Sequence, residues 1–125
     1  MGESLGGAVA CELASKVKCG GLIVQSSFTS AAEMTPLVMP HFPARWFLRT
    51  KFDNLDKIAR ITVPKLILHA SDDEVIPFAM GKKLCATAAD PKECTWFQTG
   101  GHNGIYMLAR EEYYPRLAKF LQQIK

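Results

Sequence analysis

Three short apolar runs constrain this chain more than anything else in it. Leu22-Ile23-Val24-Gln25, Lys65-Leu66-Ile67-Leu68-His69 and Thr95-Trp96-Phe97-Gln98 are short, bounded by turn residues and rich in β-branched and aromatic side chains. They do not alternate apolar with polar, so each reads as a strand buried on both faces. Such strands belong to parallel sheets covered by helices. Between them the period changes. Leu5, Val9, Leu13 and Val17 recur every four residues and predict a helix over residues 5–17, with two glycines at its start that let it pack closely. Gly20-Gly21 stops it. A second helix is predicted over 79–89, ending before Asp90-Pro91. A third, from about 110 to 124, has Leu117, Phe120, Leu121 and Ile124 at helical spacing. Asp53 is placed to cap a short helix over 54–60, and Pro64 opens the second strand. Strands alternating with helices predict an α/β fold with three parallel strands and flanking helices.

Residues 28–53 break the pattern. Pro36, Pro40 and Pro43 interrupt short apolar stretches, which predicts an excursion of short helices and loops. Within it, Arg45-Trp46-Phe47-Leu48-Arg49 with Lys51 and Phe52 mixes aromatic and basic residues. A lid whose apolar face takes an acyl chain near a membrane surface is one reading. A short amphipathic helix packed on the core, with its basic ends in water, is the favoured one. Met34, Leu37 and Met39 could line a flexible acyl pocket, although Met also fills ordinary gaps.

At 125 residues the chain has room for one domain. Its net charge is +3, from 15 basic and 12 acidic residues, too small and scattered for a nucleic-acid surface. Cys11, Cys19, Cys85 and Cys94 form no CxxC pair and no zinc spacing, so free thiols in a reducing compartment are expected. No apolar run reaches the length of a membrane span, and Glu3 stands where a signal peptide is basic. A cytoplasmic location is the resulting expectation.

Three motifs carry chemistry. Gly2-Glu3-Ser4-Leu5-Gly6 is a G-x-S-x-G directly before a helix. On a tight strand-to-helix turn, with glycines where side chains would clash, such a Ser is lifted above the sheet edge. The helix N-terminus behind it directs N–H groups at a developing oxyanion, and the N–H of Leu5 is the expected donor. The bland alternative makes Ser4 a simple N-cap. The second motif, Ser71-Asp72-Asp73-Glu74-Val75-Ile76-Pro77, follows the second strand, where functional groups of open parallel sheets collect. A carboxylate there can orient a catalytic His. Asp73, four residues before Pro77, is the choice, and Asp72 the runner-up that shapes the turn. The third is Gly100-Gly101-His102-Asn103, a flexible loop able to return His102 over the elbow as a general base. His41, in the excursion, and His69, within a strand, read as bystanders.

The order Ser, Asp, His on strand ends resembles the α/β-hydrolase superfamily, with the closest likeness to small-lid hydrolases related to depalmitoylating thioesterases and their bacterial relatives. The stretches that carry it are GESLGGAVA, SSFTS, FDNLDKIARITVPKLILHASDDEVIPF and GGHN. The likeness implies Ser4 as nucleophile, Asp73 as acid, His102 as base, a cap over about 29–53, and no cofactor or metal. It implies a serine hydrolase that cleaves an ester or thioester of a hydrophobic, lipid-like acyl group through an acyl-enzyme. An acylaminoacyl-type peptidase shares the same triad. The chain departs from the pattern at Ala70, where Gly is common, and at Gly104, where Asp often follows His-Asn.

It also departs by opening at the elbow itself. Against that family the chain corresponds to the C-terminal part of the fold, without the earlier strands or the second oxyanion donor. A bare strand edge and weak or no activity of the 125 residues alone are therefore expected, with self-association through that edge. A truncated hydrolase-like chain acting as a binding or regulatory partner is the rival reading.

Overall fold

The computed structural model describes residues 1–41 and 52–124. Its elements are β1 (Gly2–Glu3), α1 (Leu5–Ala14), β2 (Leu22–Gln25), α2 (Ala31–Val38), α3 (Asn54–Arg60), β3 (Lys65–Ala70), α4 (Phe78–Thr87), β4 (Lys92–Phe97), α5 (Ile105–Leu108) and α6 (Arg110–Gln123). The strands form one parallel sheet in the order β1-β2-β3-β4. The sheet thus has four strands rather than the expected three. Gly2 and Glu3, read as the entry to the elbow, pair with Val24 and Gln25, so the free edge belongs to β1 and not to β2.

Alternate side chains of the strands serve two layers, as the pleat requires. Ile23, Leu66, Leu68 and Phe97 point to one face, where Tyr113 and Phe120 of α6 cover them. Leu22 and Val24 meet Cys11 of α1 on the other face, and Ile67 meets Ile58 of α3 and Leu84 of α4. Asp53 caps α3 as expected, accepting the Asp56 N–H at 3.0 Å. Lys65 is fully buried at the start of β3. Its ammonium donates to the carbonyls of Ile61 (2.6 Å) and Val63 (2.8 Å), which satisfies the charge where α3 ends.

Two expectations are overturned. The stripe Leu5, Val9, Leu13, Val17 is not the buried side of the first helix. These residues are between 48% and 58% exposed, while Gly7, Ala8 and Cys11 face the sheet. The small residues win because they let α1 lie close: a Cβ at Gly7 would fall 2.5 Å from Ser27 Oγ. Nor are all four cysteines free. Cys85 on α4 and Cys94 on β4 form a disulfide, their Cα atoms 6.3 Å apart. Bridging depends on that separation in space, which sequence spacing does not give. Cys11 remains a free buried thiol, and burial raises its pKa to about 11.

The excursion leaves and rejoins the sheet through a tied neck. Ser30 and Asp53 form an antiparallel bridge, Ala31 N–H donates to Phe52 O, and Asn54 N–H donates to Thr29 O. The aromatic and basic stretch expected at 45–51 lies outside the described residues.

Candidate active site

The turn between β1 and α1 holds Ser4 at φ 53°, ψ −122°. A non-glycine residue persists at positive φ only where its surroundings fix it, at a cost of about 1–3 kcal/mol. Here three hydrogen bonds do so. The Ser4 N–H donates to Gln25 O (2.9 Å), and Ser4 O accepts from the Gly7 N–H (3.0 Å) and the Ser27 hydroxyl (2.8 Å). A Cβ on Gly2 would fall 2.0 Å from Gly6 O, so that position admits only glycine. Gly6 itself would meet nothing within 4 Å among the described residues. The close approach expected of it belongs to Gly7, outside the pentapeptide. The Ser4 side chain makes no capping bond to α1, so the N-cap alternative is not realised. Leu5 opens the helix, and its N–H is among those without an intrahelical acceptor.

The residue before Ser4 is held as well. Tyr113 OH donates to Gln25 Oε1 (2.9 Å), and Gln25 Nε2 donates to Glu3 Oε1 (3.0 Å). This chain runs from α6 through β2 to the elbow. Burial, with the Glu3 charge nearby, pushes the Tyr113 hydroxyl above its ordinary value.

Three consecutive carboxylates after β3 hold the loop after β4, each in a different way. Asp72 accepts the N–H groups of Gly101 (2.9 Å) and Gly100 (3.3 Å). Glu74 accepts the His102 N–H at 3.1 Å. Asp73 meets the imidazole: His102 Nδ1 lies 3.0 Å from Oδ2 and 3.2 Å from Oδ1. The Asp73 side chain is fully buried, and its Oδ1 also accepts the N–H groups of Val75 (2.9 Å) and Ile76 (2.8 Å). A carboxylate only accepts, so Nδ1 of His102 carries a proton and Nε2 is left bare in the neutral ring. The loop turns through Gly100 and Gly101 at φ 141° and 54°.

The structure therefore brings Asp73 and His102 together and gives Asp72 a loop-holding role. Ser4 and Leu5 line the same cavity as Val75 and Ile76 of the acid loop. Among the described residues no hydrogen bond joins the Ser4 hydroxyl to His102. In unliganded sites such bonds are commonly long and tighten with substrate. The cavity, about 400 Å³, is completed by Phe28, Ala31, Met34, Thr35, Val38, Met39 and Phe52. Met34 and Met39 line it as expected. Leu37 does not and is exposed. Glu33 ties this wall to the body, accepting from Thr29 Oγ1 (2.7 Å) and from Lys83 Nζ of α4 (2.9 Å).

His41 is exposed, whereas His69 is buried beside the acid loop. Its Nε2 lies 3.0 Å from Ile76 O and 3.3 Å from Asp73 Oδ2, and the ring is buried. Burial holds its pKa below the ordinary value, against the opposing pull of the Ile76 carbonyl and Asp73. The available signal was its parity on β3, which places it one strand residue before the acid loop.

No family model matches the chain. An uncharacterized protein of Mycobacterium tuberculosis is 32% identical over 122 residues, which is 98% of this chain and 43% of that protein. Human alpha/beta hydrolase domain-containing protein 17B is 32% identical over 124 residues, or 98% of this chain and 40% of that protein. The chain thus spans less than half the length of these curated relatives. Among solved structures, an esterase of Pyrococcus furiosus superposes with a TM-score of 0.78 at 18% identity, covering 98% of this chain and 51% of that one. A monoacylglycerol lipase of Paleococcus ferrophilus does so with a TM-score of 0.71 at 16% identity, covering 99% and 67%. No described helix is long and apolar enough to cross a membrane.

Proposed function

We propose that this chain is an α/β-hydrolase carrying the nucleophile, acid and base of a serine hydrolase that acts on esters or thioesters of apolar acyl groups, a reading its curated relatives and its fold support. Ser4 Oγ attacks the acyl carbonyl while His102 Nε2 takes its proton. Asp73 holds His102 in the tautomer with Nδ1 protonated and stabilises the imidazolium that forms. The Leu5 N–H, at the positive end of α1, stabilises the oxyanion. The imidazolium then returns its proton to the leaving alcohol or thiol. Water, activated by the same imidazole, releases the acid and restores Ser4.

The observation that carries this reading is Ser4 at positive φ on a strand-to-helix turn, opening onto a cavity shared with the loop of Asp73. The apolar character of that cavity supports an acyl chain rather than a charged group as its occupant. The related Paleococcus structure is titled a monoacylglycerol lipase and the Pyrococcus one an esterase, which agrees in class.

The test is fluorophosphonate labelling of the complete protein as naturally made, together with turnover of p-nitrophenyl esters of increasing chain length. Labelling at Ser4 that is lost in Ser4→Ala is expected, with medium or long chains preferred. Undiminished turnover by Ser4→Ala would remove Ser4 from the mechanism.

A further inference from the structure

We propose that His69 is a positioning residue for Asp73: its Nε2–H donates to the Ile76 carbonyl and so holds the loop residue whose own N–H anchors the carboxylate that faces His102. The inference rests on the triad proposed above and adds a fourth residue that acts through the acid.

The chemistry of the contact fixes its direction. The hydrogen-bond partner of His69 Nε2, the Ile76 carbonyl at 3.0 Å, only accepts hydrogen bonds. Nε2 must therefore carry the proton, and Asp73 Oδ2 lies 3.3 Å from the same nitrogen. Ile76 links the two residues, because its own N–H donates to Asp73 Oδ1 at 2.8 Å. One oxygen of Asp73 is thus held by the backbone of its own loop. The other meets His102 Nδ1 at 3.0 Å, with His69 Nε2 beside it at 3.3 Å. Without His69, the Ile76 carbonyl loses this donor, and the loop N–H that holds Oδ1 is less firmly placed.

The ring of His69 cannot swing away. A Cβ built on Gly81 of α4 would fall 2.5 Å from Nδ1, so the helix lies directly against the imidazole. The Phe78 ring flanks it at 5.9 Å between centroids, and Trp96 is its partner in register on β4. The charged groups facing it are Asp73 from the acid loop and His102 from the loop after β4. Lys82 is screened behind the Phe78 ring, 5.0 Å from that ring's centroid. A neutral donor suits this place. It orients the carboxylate without placing a second positive charge beside the imidazolium that forms on His102.

The experiment compares His69→Phe, His69→Gln and His69→Asn with Ser4→Ala in the complete protein, by ester kinetics across pH. Phe keeps the volume and loses the donor, and Gln can place an N–H near the position of Nε2. His69→Phe should lower kcat by about tenfold, the loss of one hydrogen bond that holds the acid loop, with KM nearly unchanged. A loosened Asp73 stabilises the imidazolium less, so the acid limb of kcat/KM should move to lower pH by about half a unit. His69→Gln should restore most of both.

A role confined to filling the core would instead give equal losses in Phe and Gln variants with an unmoved limb, and that result overturns the proposal. So does an unaltered kcat in His69→Phe. If His69→Phe does not fold, Gln against Asn decides: Asn is too short to reach Ile76 O, so the proposal requires Gln to exceed it clearly. Gly81→Ala, which crowds Nδ1 from outside the site, should mimic His69→Phe. Full turnover by Ser4→Ala would mark failure of the underlying triad instead, whatever the His69 variants do.

Discussion

At the β4 side of the sheet, α6 covers Phe97 with Tyr113 and Phe120, and both oxygens of Asp73 have hydrogen-bond partners. At the β1 side, α1 leaves Leu5, Val9, Leu13 and Val17 about half exposed beside a strand of two residues. Both sides carry candidate catalytic groups, yet they are held differently. The acid and base are fixed by a network of side chains and loop N–H groups from segments nearly 30 residues apart. The nucleophile is fixed by backbone strain and three hydrogen bonds, with an apolar surface still open beside it. The elbow is thus set by contacts close to it, whereas the buried carboxylate draws its partners from separate segments.

The sharpest way to break this comparison is within the carboxylate trio. Asp73→Asn should lower kcat of the complete protein by about 10⁴-fold, because the amide favours the wrong tautomer of His102. Asp72→Asn, which disturbs only the hold on Gly100 and Gly101, should cost about tenfold. Equal losses would mean the two carboxylates were assigned wrongly. Next in size is packing. Phe120→Ala should destabilise by about 3–5 kcal/mol in chemical denaturation, and Leu13→Ser by no more than about 0.5 kcal/mol. A large cost at Leu13 would show that α1 is covered in solution.

Labelling rates probe the elbow side directly. The 125 residues expressed alone offer Leu5 N–H as the expected oxyanion donor and should react with fluorophosphonate about 10²–10³-fold more slowly than the complete protein. Equal rates would show that the elbow needs no further support. The isolated chain should also self-associate through the β1 edge and the α1 stripe, read as a concentration-dependent mass by light scattering. Val9→Ser with Leu13→Ser should weaken that association.

The smallest effect is in pH. Burial lowers the pKa of His69 from its ordinary 6.5, so the unfolded chain takes up the proton more readily. Its contribution to stability is complete above about pH 6.5 and declines as the pH falls below that value. His69→Gln should flatten this slope in urea titrations at pH 5 and 7. An unchanged slope would assign it to other groups.

Most of the elements were legible in the sequence, because each is set by neighbours a few residues apart. The apolar runs gave β2, β3 and β4, Asp53 gave the cap of α3, and the G-x-S-x-G spacing gave the turn that holds Ser4. The parallel alternation of layers followed from the same patterns. Tertiary structure alone decided which side of α1 faces the sheet, that Cys85 meets Cys94, and that Gly7 rather than Gly6 is closely packed. It also decided which of three adjacent carboxylates reaches His102, and that His69 lies behind it. Local periodicity fixes where a side chain sits on its own element. What it meets depends on the positions of segments far along the chain, and only packing settles those.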